Sequence, residues 1–116
     1  MMKKILCSLL IITMVILLVG CSGEKEMSSL DKILKENNYI IVDVRTQEEY
    51  DTSHVKGAVN IPYDEIDENV ELDKSKTILV YCKSGGRSSI AYNTLKELGY
   101  DVMDLGAFDS IDLEKE

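Results

Sequence analysis

The run Cys82-Lys83-Ser84-Gly85-Gly86-Arg87-Ser88 gathers a thiol, two cations, two glycines and two hydroxyls within seven residues. Those residue types in that order suit the chemistry of an ionised sulfur. The thiolate is the nucleophilic form of cysteine, and it is favoured where backbone amides, a helix N-terminus or nearby cations surround the sulfur. Lys83 and Arg87 supply charges of the helpful sign. Gly85 and Gly86 allow backbone angles that a Cβ would resist, so that successive N–H groups can curve around one anion. A buried inert thiol is the common state of a lone cysteine, but this neighbourhood points to a reactive one.

Such a cup needs a rigid strand before it and a helix after it. Thr77-Ile78-Leu79-Val80-Tyr81 is apolar enough to be a buried strand. Ser89 to Leu98 predicts a helix, with Gly99 as its C-terminal stop and its N-terminal partial charge facing the loop. Elsewhere, Leu30, Ile33 and Leu34 recur at helical spacing, capped by Ser28 or Ser29 and ended by Asn37-Asn38. Tyr39 to Val44 reads as a strand too uniformly apolar to be half exposed. Thr46 to Asp51 reads as a short helix with Tyr50 turned inward. Val55 to Pro62 reads as a turn followed by a short strand that Pro62 terminates, Tyr63 to Asn69 as one or two helical turns, and Val102 to Leu105 as a last strand. Strands alternating with helices predict an α/β fold: a mainly parallel sheet of four or five strands with helices on both faces. The expected order puts Ile78–Tyr81 between the Tyr39–Val44 and Val102–Leu105 strands, with Cys82 at the carboxyl edge of a central strand.

The N-terminus reads differently from the rest. Lys3 and Lys4 precede an apolar stretch from Ile5 to Val19, as in a secretory signal, and the stretch is shorter than the roughly 20 residues of a usual membrane span. Its end, Leu18-Val19-Gly20-Cys21, resembles the lipobox of bacterial lipoproteins. That resemblance implies cleavage before Cys21, lipid on the Cys21 sulfur, and a domain held at a membrane surface outside the cytoplasm. The expected organisation is a signal peptide over 1–20, a lipidated N-terminus and spacer over 21–29, and one domain over 30–116. Of 116 residues, 96 then remain, enough for a single small domain. Cys7 leaves with the signal and Cys21 is alkylated, so Cys82 is the only free thiol and no internal disulfide forms.

Loss of Lys3 and Lys4 leaves 11 basic residues against 21 acidic ones, a net charge of −10. Such acidity argues against nucleic acid as a partner. A site for small anions must then carry its own local positive field. With one histidine and one free cysteine, cysteine and histidine ligands cannot assemble a zinc site.

Three motifs in order give the chain its family resemblance: Asp43-Val44-Arg45 with Glu48-Glu49-Tyr50, then His54-Val55-Lys56-Gly57-Ala58-Val59-Asn60-Ile61-Pro62, then the Cys82 to Arg87 loop. Over roughly Tyr39 to Leu105 the sequence resembles a single-domain rhodanese, a sulfurtransferase. The resemblance implies that Cys82 takes a sulfane sulfur from thiosulfate, a polysulfide or a similar donor as a persulfide. A thiophilic acceptor such as cyanide or another thiol then removes it, in two displacements. It also implies that Lys83, Ser84, Gly85, Gly86 and Arg87 cradle the anionic sulfur, without metal or other cofactor. Phosphatases and arsenate reductases related to rhodaneses place one residue more between cysteine and arginine, so oxyanion chemistry of that kind is not expected. A module that carries or senses sulfur while docked on a partner protein is the alternative, and a thiol-redox role lacks a resolving cysteine. Asp43 and Arg45 are expected to form a structural ion pair or a turn-fixing hydrogen bond, His54 to hold a turn, and Ser88 to cap the helix. Two departures from the family pattern stand out: no N-terminal strand is legible before Leu30, and Ile111 stands where an aromatic often follows.

Overall fold

The structure, a computed structural model, describes residues 28–116. The expected signal segment and Cys21 lie outside the described residues, as does most of the 21–29 spacer. Helix α1 (Ser28–Glu36) begins two residues before the expected domain start, with Asp31 in its first turn complementing the helix dipole. Asn37, at φ +52°, ends it in the left-handed conformation common after helix C-termini. This helix belongs to a different unit from Asn38–Glu116, which carries the sheet. Among the described residues no helix is long and apolar enough to cross a membrane.

Four strands form one parallel sheet in the order β2-β1-β3-β4. They are β1 (Tyr39–Asp43), β2 (Val59–Asn60), β3 (Thr77–Cys82) and β4 (Asp101–Ala107). Between them lie α2 (Gln47–Thr52), a 3-10 turn at Tyr63–Glu65 and α3 (Gly86–Glu97); a second 3-10 turn, Phe108–Ser110, follows β4. Of the one or two helical turns expected over Tyr63 to Asn69, a single 3-10 turn forms. The strand order matches expectation: β3 is central, flanked by β1 and β4.

Alternation along β1 and β3 sorts side chains to two faces. Val42, Val44, Ile78, Val80 and Cys82 join Val102 of β4 and pack with Ala91 and Leu95 of α3 in one apolar cluster. Asp43 and Tyr81, which are register partners, point to the opposite face. Helix α3 ends in a paired amide closure. The Gly99 amide donates to the Lys96 carbonyl and the Tyr100 amide to the Leu95 carbonyl, and Gly99 sits at φ +93°. This is the Schellman arrangement, in which Tyr100 folds back onto the core beside Leu95.

The register between β3 and β4 shifts between Val80 and Tyr81, so that Asp104 faces Val80 while Gly106 faces Tyr81. Leu105 is the extra residue of this bulge, and Gly106 at φ +82° makes the turn, its amide donating to Asp104 Oδ1 at 2.9 Å. Bulges sharpen local bending near sheet ends. Here the bend precedes Phe108, whose ring stacks at 5.8 Å on that of Tyr81. The final residues return to the body of the sheet unit: Val55 and Lys115 form an antiparallel bridge, and His54 and Glu116 exchange backbone bonds at 2.9 and 2.8 Å.

Candidate active site

Cys82 ends the central strand, and α3 begins four residues later. The three residues between them make the turn. Gly85 occupies the N-cap of α3 at φ +101° and ψ −15°, a conformation that side-chain-bearing residues rarely adopt. In that pose its amide donates to Cys82 Sγ at 2.9 Å. The first-turn amides of a helix have no intrahelical acceptor, so those of α3 open toward the sulfur end of β3.

Cys82 itself has no solvent-exposed surface, yet the atoms meeting its sulfur are polar. Ser88 Oγ lies 3.5 Å from it. Burial, the largest single influence, pushes the thiol pKa up. The Ser88 hydroxyl and the backbone amides of Ser88, Gly85 and Ser84 together outweigh it, and the net shift is below the ordinary thiol value. Lys83, Ser84 and Gly86 are exposed directly above, so a single loop separates the sulfur from water.

Two expectations about this loop need correction. Gly86 has no positive φ, and a Cβ built on it meets nothing within 4 Å; it is simply the first residue of α3, and only Gly85 needs glycine freedom. Ser88 does not cap the helix. Because α3 starts at Gly86, Ser88 falls inside the first turn, fully buried, with its hydroxyl donating to the Gly85 carbonyl at 3.1 Å. Two hydrogen-bonding states fit these distances. In the thiol form, Cys82 S–H donates to Ser88 Oγ while Ser88 O–H holds Gly85. In the thiolate form, Ser88 O–H can turn to the sulfur.

Arg87, expected to bind substrate, is engaged by a residue that the sequence did not single out for a role. Its guanidinium donates to both carboxylate oxygens of Glu49, at 2.7 and 3.1 Å. Glu49 is the third residue of α2 and part of a capping box. The Thr46 amide and hydroxyl donate to Glu49 Oε1 at 3.2 and 3.1 Å, and Thr46 Oγ1 accepts from the Glu49 amide. The Arg87 guanidinium, followed by the Thr46 donors, overcomes the opposing effect of burial and holds the Glu49 carboxyl at about 2. One carboxylate therefore ties the start of α2 to the start of α3.

Asp43 and Arg45 form the expected structural pair, on the other face of the sheet from Cys82. Arg45 donates to Asp43 from Nε at 2.9 Å and from Nη2 at 2.6 Å, and both residues are buried. Nη2 also reaches the Ser53 carbonyl at 2.6 Å, and the guanidinium lies 4.4 Å from the Phe108 ring centroid. Tyr81, fully buried, donates to Asp43 Oδ2 at 2.7 Å and accepts from the Val55 amide at 3.0 Å. His54 holds its turn as expected: Nδ1 is 2.9 Å from the Tyr50 carbonyl, and its ring stacks on Tyr50 at 3.8 Å. Among the described residues no three His, Cys, Asp or Glu side chains converge on a point that could hold a metal ion.

With that geometry in place, the likenesses to known proteins are specific. A family model described as "Rhodanese-like domain" matches residues 26–110. The thiosulfate sulfurtransferase PspE of Escherichia coli (strain K12) is 44% identical over 62 residues, 51% of this chain and 60% of that protein. The Bacillus subtilis (strain 168) protein named "Putative sulfur carrier protein YrkF" is 37% identical over 70 residues, 60% of this chain and 38% of that one. The chain thus spans less than two thirds of either relative. Among solved structures, a rhodanese with anions from E. coli superposes with a TM-score of 0.62 at 36% identity, covering 67% of this chain and 96% of that one.

Proposed function

The chain belongs to the rhodanese-like domain family, and from that premise we propose that it is a sulfurtransferase that carries sulfane sulfur on Cys82 as a persulfide. One observation supports this reading above the rest. Cys82 Sγ ends the central strand, accepts the Gly85 amide at 2.9 Å and lies beside the buried Ser88 hydroxyl. The same donors that favour thiolate also suit the terminal sulfur of a persulfide, which is again an anion. In the first displacement, Cys82 thiolate attacks the outer sulfur of thiosulfate or a similar donor. The S–S bond of the donor breaks and sulfite leaves with the bonding electron pair. In the second, a thiophilic acceptor attacks the transferred sulfur and Cys82 departs as thiolate. Lys83, Ser84, Gly85 and Gly86 frame the approach to the sulfur.

The test is intact-mass measurement after incubation with thiosulfate. One added sulfur, removed by cyanide and absent from Cys82→Ser, is the expected result. No gain in wild type, or equal gain in the variant, overturns the reading. The relative named as a sulfur carrier favours a second reading, in which the loaded sulfur passes only to a docked partner protein. Loading without turnover on cyanide or small thiols would favour that reading.

For residues outside those described, we propose cleavage before Cys21 and lipid attachment to its sulfur, placing the domain at a membrane surface outside the cytoplasm. The support is the basic start, the apolar stretch and Gly20-Cys21. Radiolabelled palmitate incorporated by cells expressing the full chain, and lost in Cys21→Ser, is the expected outcome.

A further inference from the structure

A donor approaching the Cys82 loop meets fewer free charges than the sequence advertises. Arg87, the cation at the start of α3, is bonded through two nitrogens to Glu49. Lys83 has no ion-pair partner among the described residues, but it is exposed, where water and salt screen its charge. Glu49 is fixed in place by three contacts to Thr46 in addition to its two to Arg87. With that arginine neutralised, the peptide amides are the main attraction for anionic sulfur. Amides aimed at one atom accommodate one charge well; they do little for a second charge on a departing group.

We infer that Glu49 is the specificity-determining residue of this site, tuning it toward donors with one negative charge or none at the reacting end, such as small organic persulfides, and away from dianionic thiosulfate. This rests on the sulfurtransferase reading. With a persulfide R–S–SH, Cys82–S⁻ attacks the outer sulfur, the S–S bond breaks, and R–S⁻ leaves while Cys82–S–SH forms, with one negative charge on each side. With thiosulfate the same attack brings a dianion to a thiolate and expels sulfite as a dianion. A free arginine would lower that repulsion, and Glu49 removes its help.

The test compares single-turnover loading of Cys82 from thiosulfate and from cysteine persulfide, read by intact mass, in wild type, Glu49→Gln and Arg87→Gln. Glutamine at 49 keeps a carbonyl oxygen for Thr46 and unmasks the arginine, so the thiosulfate-to-persulfide rate ratio rises about tenfold. Glutamine at 87 unmasks the carboxylate, so the ratio falls by a similar factor. Opposite signs are the signature of charge, because a merely structural role lowers loading from both donors in both variants. An unmoved ratio, or shifts of the same sign, overturns the inference. Should Glu49→Gln fail to fold, the fall in Arg87→Gln decides alone, and its absence is equally fatal. If wild-type Cys82 takes sulfur from neither donor, the sulfurtransferase reading fails. If it takes sulfur from both and the ratio ignores Glu49 and Arg87, only the specificity claim fails.

Discussion

The Gly85 amide nitrogen lies 2.9 Å from Cys82 Sγ, and it does so because Gly85 holds φ at +101°. The hydrogen bond and the backbone pose are one feature. Gly85→Ala must either strain that pose, at about 1–2 kcal/mol, or relax it and withdraw the donor. The expected outcome is a domain less stable by about that amount, with slower sulfur loading. Gly86→Ala is the control. It sits in a helix with open space where its Cβ would be, so urea unfolding should reveal unchanged or slightly greater stability, by up to about 1 kcal/mol.

Among the described residues, Ser88→Ala removes the one side-chain hydroxyl hydrogen-bonded to the sulfur. A hydrogen bond to an ionised partner contributes about 1.5–3 kcal/mol, part of which Ser88 now shares with the Gly85 carbonyl. Iodoacetamide alkylation of Cys82, followed against pH, should therefore rise at higher pH than in wild type and run about tenfold slower near neutrality. An unshifted profile would assign the whole effect to the peptide amides.

Acid should weaken the α2–α3 tie in a defined window. The Glu49 carboxyl is held at about 2 against an ordinary 4.5. Its contribution is therefore fully present above pH 4.5 and fades as pH falls toward 2. Partial exposure discounts the electrostatic gain to about 1–2 kcal/mol. Stabilities from urea unfolding of wild type and Glu49→Gln should differ by that amount at pH 7, draw together below pH 4.5 and converge near pH 2. A constant gap across the range would mean that packing, not charge, is lost.

Tyr81→Phe keeps the ring that stacks on Phe108 but leaves the Val55 amide without its acceptor and takes one donor from Asp43. An unsatisfied buried polar group costs about 1–3 kcal/mol. Thermal unfolding should register a loss of that size.

Much of this was legible along the chain, and the failures share a physical origin. The apolar run before Cys82 and the glycines after it announced strand, turn and helix, because these signals are local. Gly99 foretold its helix end for the same reason. Glu49 and Arg87 meet across 38 positions, as do Asp43 and Tyr81, and no periodicity reports such a pairing. Tyr81 read as one more apolar strand residue, although a buried phenol nearly always needs a partner for its hydroxyl. Ser88 was misplaced by a three-residue error in the helix start. That small slip turned a serine beside the sulfur into a cap, since boundaries are where sequence patterns are weakest.

The two outer strands of the sheet differ from the central pair in a way that bears on behaviour at high concentration. Strand β2 offers only Val59 and Asn60 as a pairing template before Pro62 removes a donor. Strand β4 is crimped at Leu105-Gly106 and exposes Asp101 and Asp104. Neither rim invites a second copy to zip on and propagate a fibre.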